Sequence, residues 1–222
     1  SVTYARLSTS PIVEKWPRMS ARMAGHPIAA SRRSPDIAIL LDHFGPGGVE
    51  RVACLVANGL HERGFAVEII VVDDDGPARP LLDEGITVRV LGTASDLPRG
   101  DRMKTAIPAV AAYLDACSPG LLHAPGNHTI VVAAQGAAMA DYAGAFVAKI
   151  TNPLEKRGKT WKQTRRRRLA YREALRRATL VLALTSQGGR QVAAPDRRLA
   201  GRTRVVHNPY VSDTMVARAA ER

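Results

Sequence analysis

Ile37-Ala-Ile-Leu-Leu41, Asp42-His43-Phe44, Gly45-Pro46-Gly47-Gly48 and Val49-Glu50-Arg51 follow one another directly, and the stretch runs on to Arg63-Gly64. A short apolar run, a three-glycine loop and then apolar residues at helical spacing predict a buried parallel strand handing over to a helix. Val49, Val52, Ala53, Val56 and Leu60 recur at i, i+3, i+4, i+7 and i+11, one stripe to lie on a sheet. Gly64 stands where a left-handed cap would end the helix. At the other end the first N–H groups lack intrahelical partners, and the helix dipole places about half a positive charge there. Gly47 and Gly48 have no Cβ, so phosphates or sugar hydroxyls can approach that backbone closely. A tight turn without a ligand would use the same glycines, and both readings stand at this point.

The same alternation continues along the chain. Strands are predicted over 66–72, 86–91, 121–124, 145–150, 180–184 and 204–208. Helices are predicted over 105–116, from the 125–128 loop to about Tyr142, over 159–178 and over 188–194. Strand-helix repetition of this kind gives an α/β fold, a doubly wound and mainly parallel Rossmann-like sheet with right-handed crossovers. Ligands in such folds sit at the carboxyl ends of the strands. That rule gathers Gly45 to Gly48, Asp73, Pro125 to His128, Thr151 to Pro153 and Ser186 on one rim.

A chain of 222 residues suffices for one large domain with a real core. Its two cysteines, Cys54 and Cys117, lack partners at metal-ligand spacing, which argues against a disulfide scaffold and for two small core residues in a reducing compartment. The net charge of +12 is local: from Lys156 to Arg177 there are eleven Lys or Arg against one acid, Glu173. This is a basic device on an otherwise nearly neutral protein. Residues 1–35 hold no apolar run long enough for a signal sequence and are expected to form a flexible extension. The most apolar stretch, 129–140, is broken by Gln135 and Gly136 and falls short of the ~20 residues a membrane span needs.

A glycine turn followed by an acid at the next strand end, Asp73, outlines a dinucleotide site. The G-x-G-x-x-G fingerprint starts at Gly45 and Gly47 but meets Glu50 where the third glycine belongs, and a carboxylate there opposes a pyrophosphate. No G-K-[ST] follows, which excludes a Walker loop. Of the histidines, His123 within a strand reads as a structural residue, and none forms a metal-binding pair, so no metal or cofactor is expected. Asn127 and His128 follow a strand in a glycine-containing loop. They could hydrogen-bond sugar hydroxyls, or Asn127 could simply cap a helix. On the basic helix Arg165, Arg168, Arg172 and Arg176 share one face with Trp161 near its start, while Ala170, Tyr171, Ala174, Leu175 and Ala178 line the other. Anionic lipid headgroups would satisfy those arginines at about 1 kcal/mol per basic residue. Nucleic acid phosphates or plain solvent are the alternatives, but no RNA-binding aromatic motif or helix-turn-helix accompanies them, so nucleic acid is not an expected partner.

The chain resembles the N-terminal domain of GT-B glycosyltransferases of family 4. The resemblance rests on Gly47-Gly48-Val49-Glu50-Arg51, on Leu60-His-Glu-Arg63-Gly64-Phe-Ala-Val67-Glu, and on Thr151-Asn152-Pro153. It continues through Tyr171, Arg176-Arg177-Ala178, Thr185-Ser186 and Val205-Val206-His207-Asn208-Pro209. It implies a retaining transferase that moves a sugar from a nucleotide-diphosphate donor to a glycan or lipid-linked acceptor, in a cleft between two Rossmann-like domains. Gly47 and Gly48 would then face the donor diphosphate, and His43, Asn127, His128 and Asn152 would border the acceptor. Basic helices in such domains hold the enzyme on an anionic membrane. That implies a cytoplasmic protein peripheral to the inner face of the cell membrane, attached through Trp161, Arg165, Arg168, Arg172 and Arg176. Many relatives carry a histidine two residues past His123; here that residue is Pro125, and His128 is the candidate substitute. The domain is expected over 36–211, with 212–222 starting an interdomain linker to a donor-binding half that this chain lacks, so that the chain alone would be inactive.

Overall fold

Continuous runs of Val, Ile, Leu and Ala can be buried on both faces of a parallel sheet. The strand β1 (Ile37–His43) is the extreme case, with Ala38 through Asp42 all inaccessible to solvent. The computed structural model describes residues 34–91, 99–153 and 160–209. Residues 1–33 of the expected extension, the expected linker at 212–222 and the first basic residues Lys156, Arg157 and Lys159 lie outside the described residues.

After β1 come α1 (Gly48–His61), β2 (Val67–Asp73), a 3-10 turn (Arg79–Leu81) and β3 (Thr87–Val90). Then follow α2 (Arg99–Cys117), β4 (Leu121–Ala124), α3 (Asn127–Met139), β5 (Ala145–Ile150) and α4 (Trp161–Arg177). The described chain closes with β6 (Leu180–Ala183), α5 (Ser186–Ala193), α6 (Arg197–Ala200) and β7 (Thr203–Val205). The seven strands form one sheet in the order β3-β2-β1-β4-β5-β6-β7, and every neighbouring pair is parallel. The doubly wound α/β expectation therefore holds. Ile39 stands beside Ile69 of β2 and His123 of β4, so β1 is the strand at which the order reverses.

Alternate residues feed two cores. Ala38, Leu40, Ile70, Val72, Leu122 and Phe146 pack with residues of α2, α3 and α4. Ile39, Leu41, Ile69 and Val71 pack with Ala53, Cys54 and Ala57 of α1 and with Ala78 and Leu82. The edge strands β3 and β7 are the least buried and carry the polar alternation, as one-sided edges allow.

Several boundaries differ from the sequence expectation for physical reasons. The buried stripe of α1 is shifted: Cys54 and Ala57 are buried, whereas Val49, Val56 and Leu60 are only partly so. The cause is a second neighbour beside the sheet, since Cys54 Sγ meets the Ala78 carbonyl at 3.6 Å and Asn58 Nδ2 donates to the Leu81 carbonyl at 2.9 Å. Gly64 does take a left-handed conformation, φ +83, with the Phe65 N–H returning to the Leu60 carbonyl at 3.2 Å. The helix α2 starts at Arg99, six residues before the apolar pattern begins, and carries Pro108 inside it. The short α6 was not anticipated; Asp196 creates it by capping, accepting the Arg198 N–H at 3.1 Å.

Candidate functional site

Because all strands run the same way, their carboxyl ends and the loops after them share one rim. Three turns meet there around β1. Phe44 is buried, its N–H donates to the Asp75 carbonyl at 2.9 Å, and its carbonyl accepts from Ala78 N at 3.0 Å, which ties the turn after β1 to the turn after β2. Gly76 permits this contact: its φ is +131, and a side chain there would run into the Phe44 carbonyl. On the other side, a Cβ on Gly126 would stand 2.8 Å from Val49 Cγ1, so the turn after β4 lies directly against the first turn of α1. Gly45 to Gly48 and Pro125-Gly126 are thereby brought together across the switch in strand order.

The glycine loop is not a bare cradle. Glu50 is 5 % exposed, and its Oε2 packs where a side chain on Gly47 would go. A carboxylate thus lies at the α1 N-terminus, where it is favourable to the helix dipole and unfavourable to an incoming pyrophosphate. This geometry adds to the case against a dinucleotide site. Gly45 is matched in the same way to His43: a Cβ on residue 45 would lie 2.6 Å from His43 Nε2. Gly48 alone of the three faces open space.

Asn127 is not a loop residue and not a helix cap. Gly126 is the N-cap, and Asn127 is the first residue of α3. Its Oδ1 accepts from Thr151 N at 2.9 Å, Thr151 Oγ1 at 3.2 Å and Asn152 N at 3.3 Å, while its Nδ2 donates to the Asn152 carbonyl at 2.9 Å. Its polar atoms are spent on holding the turn after β5. Its own carbonyl accepts from Tyr171 Oη at 2.6 Å, which anchors α4 to the same corner. His128 sits in the first turn of α3, partly buried, with its ring beside Gly126; Asn152 is exposed on the rim.

A charge network beneath the loop escaped the sequence reading. Asp42, fully buried, accepts on Oδ1 from Arg102 Nε at 3.2 Å and Nη2 at 2.9 Å, and Arg102 also stands 3.9 Å from Asp73. Asp42 Oδ2 faces His43 Nδ1 at 3.4 Å. Asp73, the acid of the dinucleotide outline, belongs to this network. The one local signal was an acid-histidine pair at the end of an otherwise apolar strand.

His123 is structural, as expected. It is 9 % exposed, Nδ1 meets the Val147 carbonyl at 3.1 Å, and burial, with Lys149 nearby, lowers it to about 4. Lys149 is also buried, which lowers its ammonium from the usual range, and it donates to Asn208 Oδ1 at 2.6 Å. That bond fixes where the chain leaves β7.

On α4 the arginine face divides. Arg176 Nε bonds Asp196 at 2.6 Å and Arg172 lies 3.9 Å from the same carboxylate, so the second half of the face is turned to α6. Ala170, expected on the packed side, is exposed; Tyr171, Ala174 and Leu175 are the buried residues. The first half presents Trp161, 72 % exposed, with Arg165 over its ring at 5.6 Å, and Leu169, 54 % exposed. Among the described residues no helix is long and apolar enough to cross a membrane, and no cluster of three His, Cys, Asp or Glu could hold a metal ion.

Comparison with known proteins agrees with this architecture. No curated protein matches the sequence. HepE of Anabaena, solved with UDP and glucose, superposes with a TM-score of 0.57 at 22 % identity, covering 84 % of this chain and 50 % of that one. The lipopolysaccharide outer core galactosyltransferase WaaB gives 0.57 at 18 %, covering 79 % and 46 %. UDP-N-acetylglucosamine 2-epimerase from Rickettsia bellii gives 0.56 at 14 %, covering 84 % and 48 %. The chain spans about half the length of these structures, and at such identities they speak for the fold alone. The glycosyl transferase 4-like domain matches residues 47–209, from the last two glycines of the loop through the Tyr171 corner to the Lys149–Asn208 exit, and the chain belongs to that family.

Proposed function

We propose that this domain is the acceptor-side wall of a glycosyl-transfer cleft. A sugar passes, with retention of configuration, from a nucleotide-diphosphate donor to a glycan or lipid-linked acceptor of cell-envelope polysaccharide or glycolipid synthesis. The observation that carries the reading is the open face of Gly48 in the first turn of α1, set beside the Gly126 turn at the strand-order switch, within a family-4-like domain. Gly48, which no described side chain covers, borders the donor diphosphate there, while Glu50 occupies the Gly47 side; His43, His128 and Asn152 border the acceptor, and Asn127 serves them from behind by holding the turn that carries Asn152. A second domain supplies the nucleotide-binding half, because one wall cannot orient a donor or stabilise its departing diphosphate. The 222-residue chain is accordingly inactive by itself. Comparing sugar transfer by this chain with transfer by the enzyme extended by a C-terminal GT-B half tests the division. Turnover by residues 1–222 alone would refute it, and so would an extended enzyme that transfers no sugar from any nucleotide-sugar donor.

The exposed Trp161, Arg165 and Leu169 favour a companion reading, attachment to an anionic membrane at the cytoplasmic face. A tryptophan and a leucine enter the interface while Arg165 and Arg168 meet headgroups. Should the extended enzyme bind lipid and transfer nothing, the domain is a non-catalytic lipid-binding or partner-binding module. Sedimentation with phosphatidylglycerol vesicles should fall at least tenfold in Trp161→Ala/Arg165→Ala/Leu169→Ala, since three contacts are lost, and one basic residue at about 1 kcal/mol plus two apolar side chains at about 1 kcal/mol or more each exceed the roughly 1.4 kcal/mol of one decade. Unchanged sedimentation removes the membrane role.

A further inference from the structure

The residue His43 ends β1 directly under the glycine loop, with its side chain about one third exposed. Its Nδ1 looks inward at Asp42 Oδ2, 3.4 Å away. The other Asp42 oxygen takes both Arg102 donors, at 3.2 and 2.9 Å, which fixes the carboxylate group in place. The contact falls short of hydrogen-bond geometry, so its pull is electrostatic: a carboxylate oxygen 3.4 Å from a buried Nδ1 favours the imidazole proton on that nitrogen and leaves Nε2 its lone pair. The Nε2 edge lies along Gly45, whose missing side chain is the space the ring uses.

We infer that His43 Nε2 is a fixed hydrogen-bond acceptor on the cleft wall for a sugar hydroxyl, with Asp42 and Arg102 as the residues that position its tautomer. The inference rests on reading this rim as a glycosyl-transfer site and narrows what this part of it can recognise. A hydroxyl donates its hydrogen to an imidazole lone pair. An unprotonated phosphate oxygen has nothing to donate, and it would also face the Glu50 carboxylate beside Gly47. The wall at His43 is therefore polyol-selective, and an anionic group belongs further along, at Gly48.

The imidazole protonation pattern tests this directly in the unaltered chain, by long-range proton-nitrogen NMR of the 15N-labelled protein at a pH where histidine is neutral. The His43 signals are identified by their loss in His43→Gln. The expected result is a protonated Nδ1 and an unprotonated Nε2, the reverse of the form that dominates in free imidazole side chains. Arg102→Lys keeps a cation beside Asp42 and should preserve the pattern, whereas Asp42→Asn should invert it. A panel of methyl α-glycosides at high concentration should shift His43 Nε2, and sulfate, an anion with no hydrogen to donate at this pH, should not. A protonated Nε2 in the unaltered chain overturns the inference, as does an Nε2 that answers to sulfate or ignores every glycoside. Failure of the glycosyl-transfer reading would show separately, as an extended enzyme that consumes no nucleotide-sugar while the His43 tautomer stays as described.

Discussion

Replacing Asn127 by alanine distinguishes a clamp from a ligand-binding side chain. The amide makes four hydrogen bonds to Thr151 and Asn152, between 2.9 and 3.3 Å. Neutral bonds contribute about 0.5–1.5 kcal/mol each after exchange with water, and a buried donor left unmet costs about 1–3 kcal/mol. Asn152 is exposed and water can replace its lost partners, so the larger cost falls on the Thr151 N–H. The loss expected is about 2–3 kcal/mol, or roughly 5–10 °C in Tm for a domain of this size. Asn127→Asp sharpens the test. It keeps the accepting oxygen, but its second oxygen replaces the donor to the Asn152 carbonyl. Its charge at the first turn of α3 returns only about 0.3–1 kcal/mol. That variant should be less stable than the unaltered chain at neutral pH and should recover as pH falls, because a protonated carboxyl can again donate to Asn152. Urea unfolding followed by circular dichroism reads both variants. An alanine variant within about 0.5 kcal/mol of the unaltered chain would refute the clamp and return Asn127 to the pool of free sugar ligands.

Two further outcomes follow from burial. His123 titrates near 4 in the folded protein against 6.5 unfolded. Between those values the unfolded chain gains a proton that the folded chain refuses, so stability is highest above about pH 6.5 and should fall by about 3 kcal/mol as pH drops toward 4, a slope that His123→Gln removes in pH-stepped urea titrations. Gly136 lies where α3 crosses α2: a Cβ there would stand 2.6 Å from Val110 Cγ1 and 2.9 Å from its Cβ. Gly136→Ala should therefore destabilise by about 1–3 kcal/mol despite the better helix propensity of alanine, and the penalty should shrink in a Val110→Ala background.

The architecture was readable in the sequence because strands buried on both faces leave apolar runs: β1 and β6 do so without internal break, β2, β4 and β5 with one internal polar residue each (Glu68, His123 and Lys149), while the edge strand β3 shows alternation instead. The site was less readable. Asn127 and His128 look like loop residues because they are polar and follow glycine, yet a first helical turn also welcomes polar groups, and only the fold brings Thr151 within reach of Asn127. Arg102 lies sixty residues from Asp42 in an unpromising polar stretch, and nothing local announces their pairing. On α4 the helical wheel separates the arginines from the core correctly, but it cannot foresee that Asp196, on a separate short helix, claims Arg176. Periodicity reports which side of an element is buried; it is silent about which distant polar partner waits there.

The glycine loop illustrates what this means for how the sequence can change. The spaces at Gly45 and Gly47 are taken by His43 and Glu50 of the same chain. Each glycine is thus half of a steric pair, and its tolerance to replacement is set by its partner. A smaller residue at position 43 would free position 45 to vary, and a shorter one at position 50 would do the same for position 47. Drift in this loop should proceed by matched exchanges two and three residues apart, whereas Gly48, which meets no side chain among the described residues, is not tied to any such internal exchange.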